Sequence, residues 1–178
     1  MKAQIMATVA SAALLAGCSA AYGEDLDTMA EANTAATAMP QGTGYFAADS
    51  SLPFKTPDFS AISEDDYMPA FEQGMAIQQA EIQAIIDNPA APTFENTIVA
   101  LEKSGRMLGR VARVFFALTG SNTTDRLDEI NTEISPKLTA HGDSITLNPE
   151  LFARVKAVYD NRAAMSMTPE DAKLLEDT

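Results

Sequence analysis

The chain has 178 residues, 46% of them hydrophobic and 21% charged, enough for one packed domain, too few for a large enzyme and too apolar for a wholly disordered polymer. Twenty-five acids against 12 bases leave a formal net charge of −13, which argues against a nucleic-acid partner, because phosphate binding needs a surplus of Lys and Arg, and against adsorption to anionic lipid. A single Cys and a single His exclude an intrachain disulfide and a self-contained His-rich metal site.

Lys2 and the uncharged stretch 5–16 (IMATVASAALLA) have the form of a secretory signal peptide, too short and too rich in Ala to span a bilayer. Leu15-Ala16-Gly17-Cys18 resembles the lipobox of bacterial lipoproteins, in which the Cys is lipidated and becomes the new N-terminus. The alternative is a plain secretory signal cut after Ser19-Ala20, leaving a soluble periplasmic protein. We expect a signal peptide over 1–17, lipidation at Cys18, and membrane attachment by acyl chains alone, since several chains together overcome the marginal affinity of one. Ser19 in place of Asp resembles outer-membrane sorting, so the expected location is a periplasmic, outer-membrane lipoprotein. Residues 18–50 are rich in Ala, Thr, Gly and acids, contain no base and show no periodicity. They predict a flexible acidic linker, with a short helix around 24–32 possible and not required.

The globular part is expected to begin near Ser51 and to be all-α, a bundle of about five helices. Pro53 and Pro57 hold the first stretch extended, packed by Leu52, Phe54 and Phe59. Ser63 is an N-cap with Glu64, Asp65 and Asp66 in the first turn. Tyr67, Phe71, Met75, Ile82, Ile85 and Ile86 then fall within about 100° of one another on a helix over 64–87. Asn88-Pro89 and Pro92 end it, and Thr93 caps a second long helix over 94–118, with Ile98, Leu101, Leu108, Ala112, Phe115 and Phe116 on one side. Gly105 and Gly109 lie on that side at a spacing that lets a neighbouring helix come close. Asn122 or Thr123 caps a third helix with Leu127, Ile130, Ile134, Leu138 and Ile145, which Pro136 should kink or break. Asn148-Pro149-Glu150 starts a fourth, carrying Leu151, Phe152, Val155, Val158 and Tyr159, and Thr168-Pro169-Glu170-Asp171 starts a fifth with Leu174 and Leu175.

Chemistry-bearing motifs are nearly absent. The sequence holds no H-E-x-x-H, no paired C-x-x-C, no G-x-S-x-G and no phosphate-cradling Gly loop, so no catalytic residue and no metal ligand is assigned. His141 has only Asp143 as a nearby carboxylate and is read as a surface or capping residue. Asp65-Asp66 and Glu170-Asp171 are read as first-turn acids that complement the helix dipole. Less routine is the stripe Lys103, Arg106, Arg110 and Arg113, which an unbroken helix would place within about 80°. It is either a solvated face paired to acids on neighbouring helices or a surface that meets an anionic ligand, such as a peptide carboxylate.

The run Pro92-Thr93-Phe94-Glu95-Asn96-Thr97-Ile98-Val99-Ala100-Leu101-Glu102-Lys103-Ser104-Gly105 resembles the N-terminal region of the thimet-oligopeptidase-like zinc metallopeptidases, particularly the bacterial peptidyl-dipeptidases. The similarity extends upstream through Ser51-Leu52-Pro53-Phe54 and Tyr67-Met68-Pro69-Ala70-Phe71-Glu72-Gln73-Gly74-Met75. Downstream it takes in Arg110-Val111, Val114-Phe115-Phe116, Pro136-Lys137-Leu138, Ala140-His141 and Leu147-Asn148-Pro149-Glu150-Leu151-Phe152, so that it covers roughly 51–178 in order. It implies a two-lobed helical enzyme with a deep channel, a zinc held by the two His of H-E-x-x-H and a downstream Glu, and short peptides as substrates, from whose C-termini dipeptides are released. None of those zinc or catalytic residues falls on a position of this sequence. The resemblance therefore implies an N-terminal fragment, truncated at its C-terminus, inactive alone and binding no zinc, whose exposed apolar faces await a missing remainder. The rival is a free-standing helical lipoprotein that binds peptide or protein without catalysis.

Overall fold

The computed structural model describes residues 39–178; the signal segment, Cys18, the 24–32 stretch and the linker up to residue 38 lie outside them. The described residues contain helices and no strand. Five α-helices organise them: α1 (Tyr67–Ile86), α2 (Arg106–Ser121), α3 (Asp125–Thr146), α4 (Pro149–Asp160) and α5 (Pro169–Asp177). None is long and apolar enough to cross a membrane.

α1 is central. Ser63 and Asp66 form a reciprocal capping box at its entrance, with the Ser63 N–H donating to Asp66 Oδ2 at 2.7 Å. Its buried residues are Tyr67, Phe71, Gly74, Ile77, Ile82 and Ile85. Gly74 and Ile77 lie outside the sector expected from the sequence because α1 packs against α2, α3 and α4 at once, so its apolar face is wider than a single stripe. Three apolar clusters follow. The largest joins Phe46, Tyr67, Phe71, Ile77, Val111, Phe115, Ile130 and Ile134; the others centre on Ile82, Ile85 and Leu151, and on Ile98, Val158 and Leu175. Within the first, Phe115 meets Tyr67 and Phe71 edge-on, with ring centroids 5.1 and 5.3 Å apart.

The single helix expected over 94–118 is broken. Thr93 does cap it, in a box with Asn96, but the chain winds as a wide turn over Phe94–Val99 and a short helix Ala100–Lys103, then leaves helical geometry at Ser104 (ψ 158°) and Gly105 (φ 67°). Glycine adopts this left-handed conformation without steric cost. The Gly105 N–H donates to Glu81 Oε2 at 2.7 Å, and a Cβ at 105 would collide with the Gln78 side chain. α2 consequently restarts in a new phase. Met107, Val111, Val114 and Phe115 are buried, whereas Leu108 and Ala112 are half-buried and Phe116 is exposed. The close approach expected of the Gly105/Gly109 pair belongs instead to Gly74, where an added Cβ would sit 2.9 Å from Leu108 Cα.

Two further boundaries differ from expectation. Thr124, not Asn122 or Thr123, caps α3, accepting from the Leu127 N–H at 3.2 Å. The helix continues through Pro136, which lies on its exposed face; water can satisfy the carbonyl that proline leaves without a donor, while Ile134 and Leu138 pack on the opposite side. α4 and α5 start as expected: Asn148 accepts from Glu150 and Leu151 N–H, and Thr168 forms a capping box with Asp171. On α4, Leu151 and Val158 are buried while Phe152 is 63% exposed.

The packed chain begins before Ser51. Residues 45–47 form one tight turn that drives Phe46 into the main cluster, so the part of the expected linker from 39 to 50 includes core residues.

Candidate functional site

A cavity of about 470 Å³ lies between the 45–59 segment and α2. Arg110 builds one side of it. Its Nε donates to the Phe46 carbonyl at 2.9 Å and its Nη2 to the Ala47 carbonyl at 2.8 Å, while Nη1 lies 3.3 Å from Asp49 Oδ1. The side chain is only 19% exposed, so these are partly desolvated, charge-assisted bonds. Tyr45 secures the other end of the segment by accepting from the Asp58 N–H at 2.6 Å. Between these ties the backbone takes two consecutive left-handed residues, Phe54 (φ 57°) and Lys55 (φ 58°). Each such non-glycine conformation costs about 1–3 kcal/mol and persists only where its surroundings over-determine it. Here Lys55 pairs with Asp49, and Lys55 N–H and Thr56 N–H donate to the carbonyls of Leu52 and Pro53. The outcome is a Phe54 ring held fully in solvent at the cavity rim.

The charges there are mixed and predominantly positive: Asp49, Lys55, Arg110 and Arg113 all line the cavity. The Asp49 carboxyl is held below its ordinary range chiefly by the hydrogen bond and charge of Lys55, with weaker help from Arg110 and Arg106. Tyr45, Phe46, Phe59 and Val114 supply apolar wall.

The expected basic stripe is divided by the break at Ser104-Gly105. Lys103 belongs to the preceding helical segment and pairs with Glu95 at 3.5 Å. Arg110 is committed to the 46–49 segment, so its role is to fasten the chain. Arg106 and Arg113, both exposed on α2, have no ion-pair partner among the described residues. Cys18 lies outside them.

His141 is neither at a helix end nor a cap. Its Nε2 lies 2.8 Å from Gln78 Oε1, bridging α3 to α1, and Gln78 in turn reaches Ser104 Oγ at 3.4 Å. Burial lowers the imidazole pKa below its ordinary value. The first-turn acids are structural: Asp66 and Asp171 close capping boxes, and Asp65 pairs with Arg126 at 3.1 Å. Among the described residues no group of three or more His, Cys, Asp or Glu side chains could hold a metal ion. The sequence reading missed the Tyr45–Asp49 contribution to the cavity; the one available signal was an aromatic pair, Tyr45-Phe46, standing in a stretch of small polar residues.

No protein-family model matches the chain. Over 131 residues it is 44% identical to the dipeptidyl carboxypeptidase of Escherichia coli (strain K12), an alignment that covers 74% of this chain and 19% of that protein. Over 127 residues it is 42% identical to the dipeptidyl carboxypeptidase of Salmonella typhimurium (strain LT2), covering 71% of this chain and 19% of the relative. The chain is thus related to the peptidyl-dipeptidases and aligns with about a fifth of the length of these two proteins.

Proposed function

We propose that this chain is the N-terminal helical portion of a peptidyl-dipeptidase-like zinc metallopeptidase, an enzyme that hydrolyses short peptides by releasing dipeptides from their C-termini. The observation that carries the reading is the long collinear identity to dipeptidyl carboxypeptidases, 44% over 131 residues. The helices around α1 and α2 form part of one channel wall in this reading. The zinc implied by the family has no ligand set among the described residues, so no hydrolytic step is assigned to this chain's side chains. They contribute shape and support to a peptide-binding channel.

The test is a chimera in which residues 51–178 replace the aligned segment of the Escherichia coli enzyme, assayed for dipeptide release from a peptide with a free C-terminus. We expect zinc-dependent release by the chimera and none by the 178-residue chain. Peptide hydrolysis by that chain alone, or a folded chimera that binds zinc and cannot release dipeptides, overturns the reading.

We further propose that residues 1–17 direct export and that Cys18 is acylated, placing the protein in the periplasm on the outer membrane. Radiolabelled palmitate incorporation should be lost in Cys18→Ala. Incorporation that survives the substitution rejects the lipobox.

A further inference from the structure

We propose that the cavity between the 45–59 segment and α2 binds a small apolar carboxylate, its anionic head on Arg113 and its aromatic or branched aliphatic body against Phe54 and Phe59. This assignment is independent of the peptidase reading. Three cations and one anion line the cavity in a chain whose net charge is −13, so its lining is net positive where the chain as a whole is acidic. The lone anion, Asp49, is already engaged by Lys55 and Arg110. Arg110 already donates to two carbonyls and pairs with Asp49, and Lys55 pairs with Asp49, so Arg113 is the cavity cation without an ion-pair partner among the described residues. Its guanidinium lies back along α2 over Gly109, where an added Cβ would stand 3.3 Å from Nη1; the glycine leaves room for the guanidinium there.

The walls account for the rest of the ligand. Phe54 is fully exposed and Phe59 half-exposed at the same opening, and large apolar groups displayed together beside a cavity mark a binding groove. A volume of about 470 Å³ lies within the range of small-molecule sites, about 300–1,000 Å³. An inorganic anion would satisfy Arg113 and leave the phenyl rings in water, whereas an apolar carboxylate satisfies both.

The experiment titrates the full chain with hydrocinnamate while heteronuclear NMR follows the arginine Nε–Hε and aromatic resonances. We expect saturable shifts confined to the cavity, with Kd on the order of 1 mM or below. Neutral hydrocinnamamide and acetate, each lacking one half of the ligand, should bind at least roughly tenfold more weakly. Arg113→Gln, at an exposed position, should weaken hydrocinnamate about tenfold with the circular dichroism spectrum unchanged. Phe54→Gly retains the left-handed backbone and removes the ring, and should weaken it severalfold. Equal binding of the amide, undiminished binding by Arg113→Gln, or shifts scattered away from Phe54, Phe59 and Arg113 each overturn the proposal.

Discussion

Substituting Gly74 by Ala sets two effects of known sign against each other. In a helix interior Ala is favoured over Gly by about 1 kcal/mol, so propensity alone predicts a more stable protein. At this position, however, the new Cβ would lie 2.9 Å from Leu108 Cα and 3.0 Å from Leu108 N, where ordinary contacts begin at 3.4 Å. Both atoms are backbone, so no rotamer change relieves the clash, and α1 and α2 must separate by about half an ångström. That seam carries Phe71 against Phe115 as well as Ile77 and Val111, and overpacking of this kind costs about 1–3 kcal/mol. Crowding exceeds propensity, and we expect Gly74→Ala to destabilise by about 1 kcal/mol, lowering Tm by roughly 4 °C. Urea unfolding followed by far-ultraviolet circular dichroism measures it. Gly142→Ala is the control: it lies inside α3 with nothing within 4 Å of an added Cβ, and should stabilise by about 0.5–1 kcal/mol. If Gly74→Ala is as stabilising as Gly142→Ala, the close approach of the two helices is refuted.

Arg110→Gln removes the donors that hold the Phe46 and Ala47 carbonyls; it should cost about 1–3 kcal/mol and speed proteolytic cleavage near residues 46–50, and an unchanged cleavage rate contradicts the clamp. Tyr67 is buried with no partner for its hydroxyl among the described residues, so Tyr67→Phe should be neutral or stabilising by up to about 1 kcal/mol in the same urea assay, whereas a clear loss would reveal a bound water at that oxygen. Burial lowers the His141 pKa in the folded state below its ordinary 6.5. The unfolded chain therefore binds more protons between the two pKa values, and this histidine's contribution to stability is present above pH 6.5 and falls as the pH drops toward the folded pKa. His141→Gln, which keeps a donor for Gln78, should remove that part of the pH dependence; identical slopes for the two proteins exclude the assignment.

Helix starts were legible in the sequence because they are local events. Ser63, Thr93, Asn148 and Thr168 each satisfy backbone donors within three residues of themselves, so a cap and its helix are written in the same few positions. The heptad-like recurrence of Tyr67, Phe71, Ile82 and Ile85 likewise needs only the helical repeat to place it on the buried side of α1. What pairs with what is a different matter. The break at Gly105 depends on Glu81 receiving its N–H and on Gln78 filling the space beside it, contacts between residues more than twenty positions apart. Once that break resets the phase of α2, a periodicity carried across it assigns Phe116 to the core and overlooks Val111 and Val114. The burial of Phe46 in the main cluster, with its carbonyl held by Arg110 64 residues away, is equally beyond local pattern, because composition shows how much apolar surface a segment owns and only the packed neighbours decide whether that surface meets water.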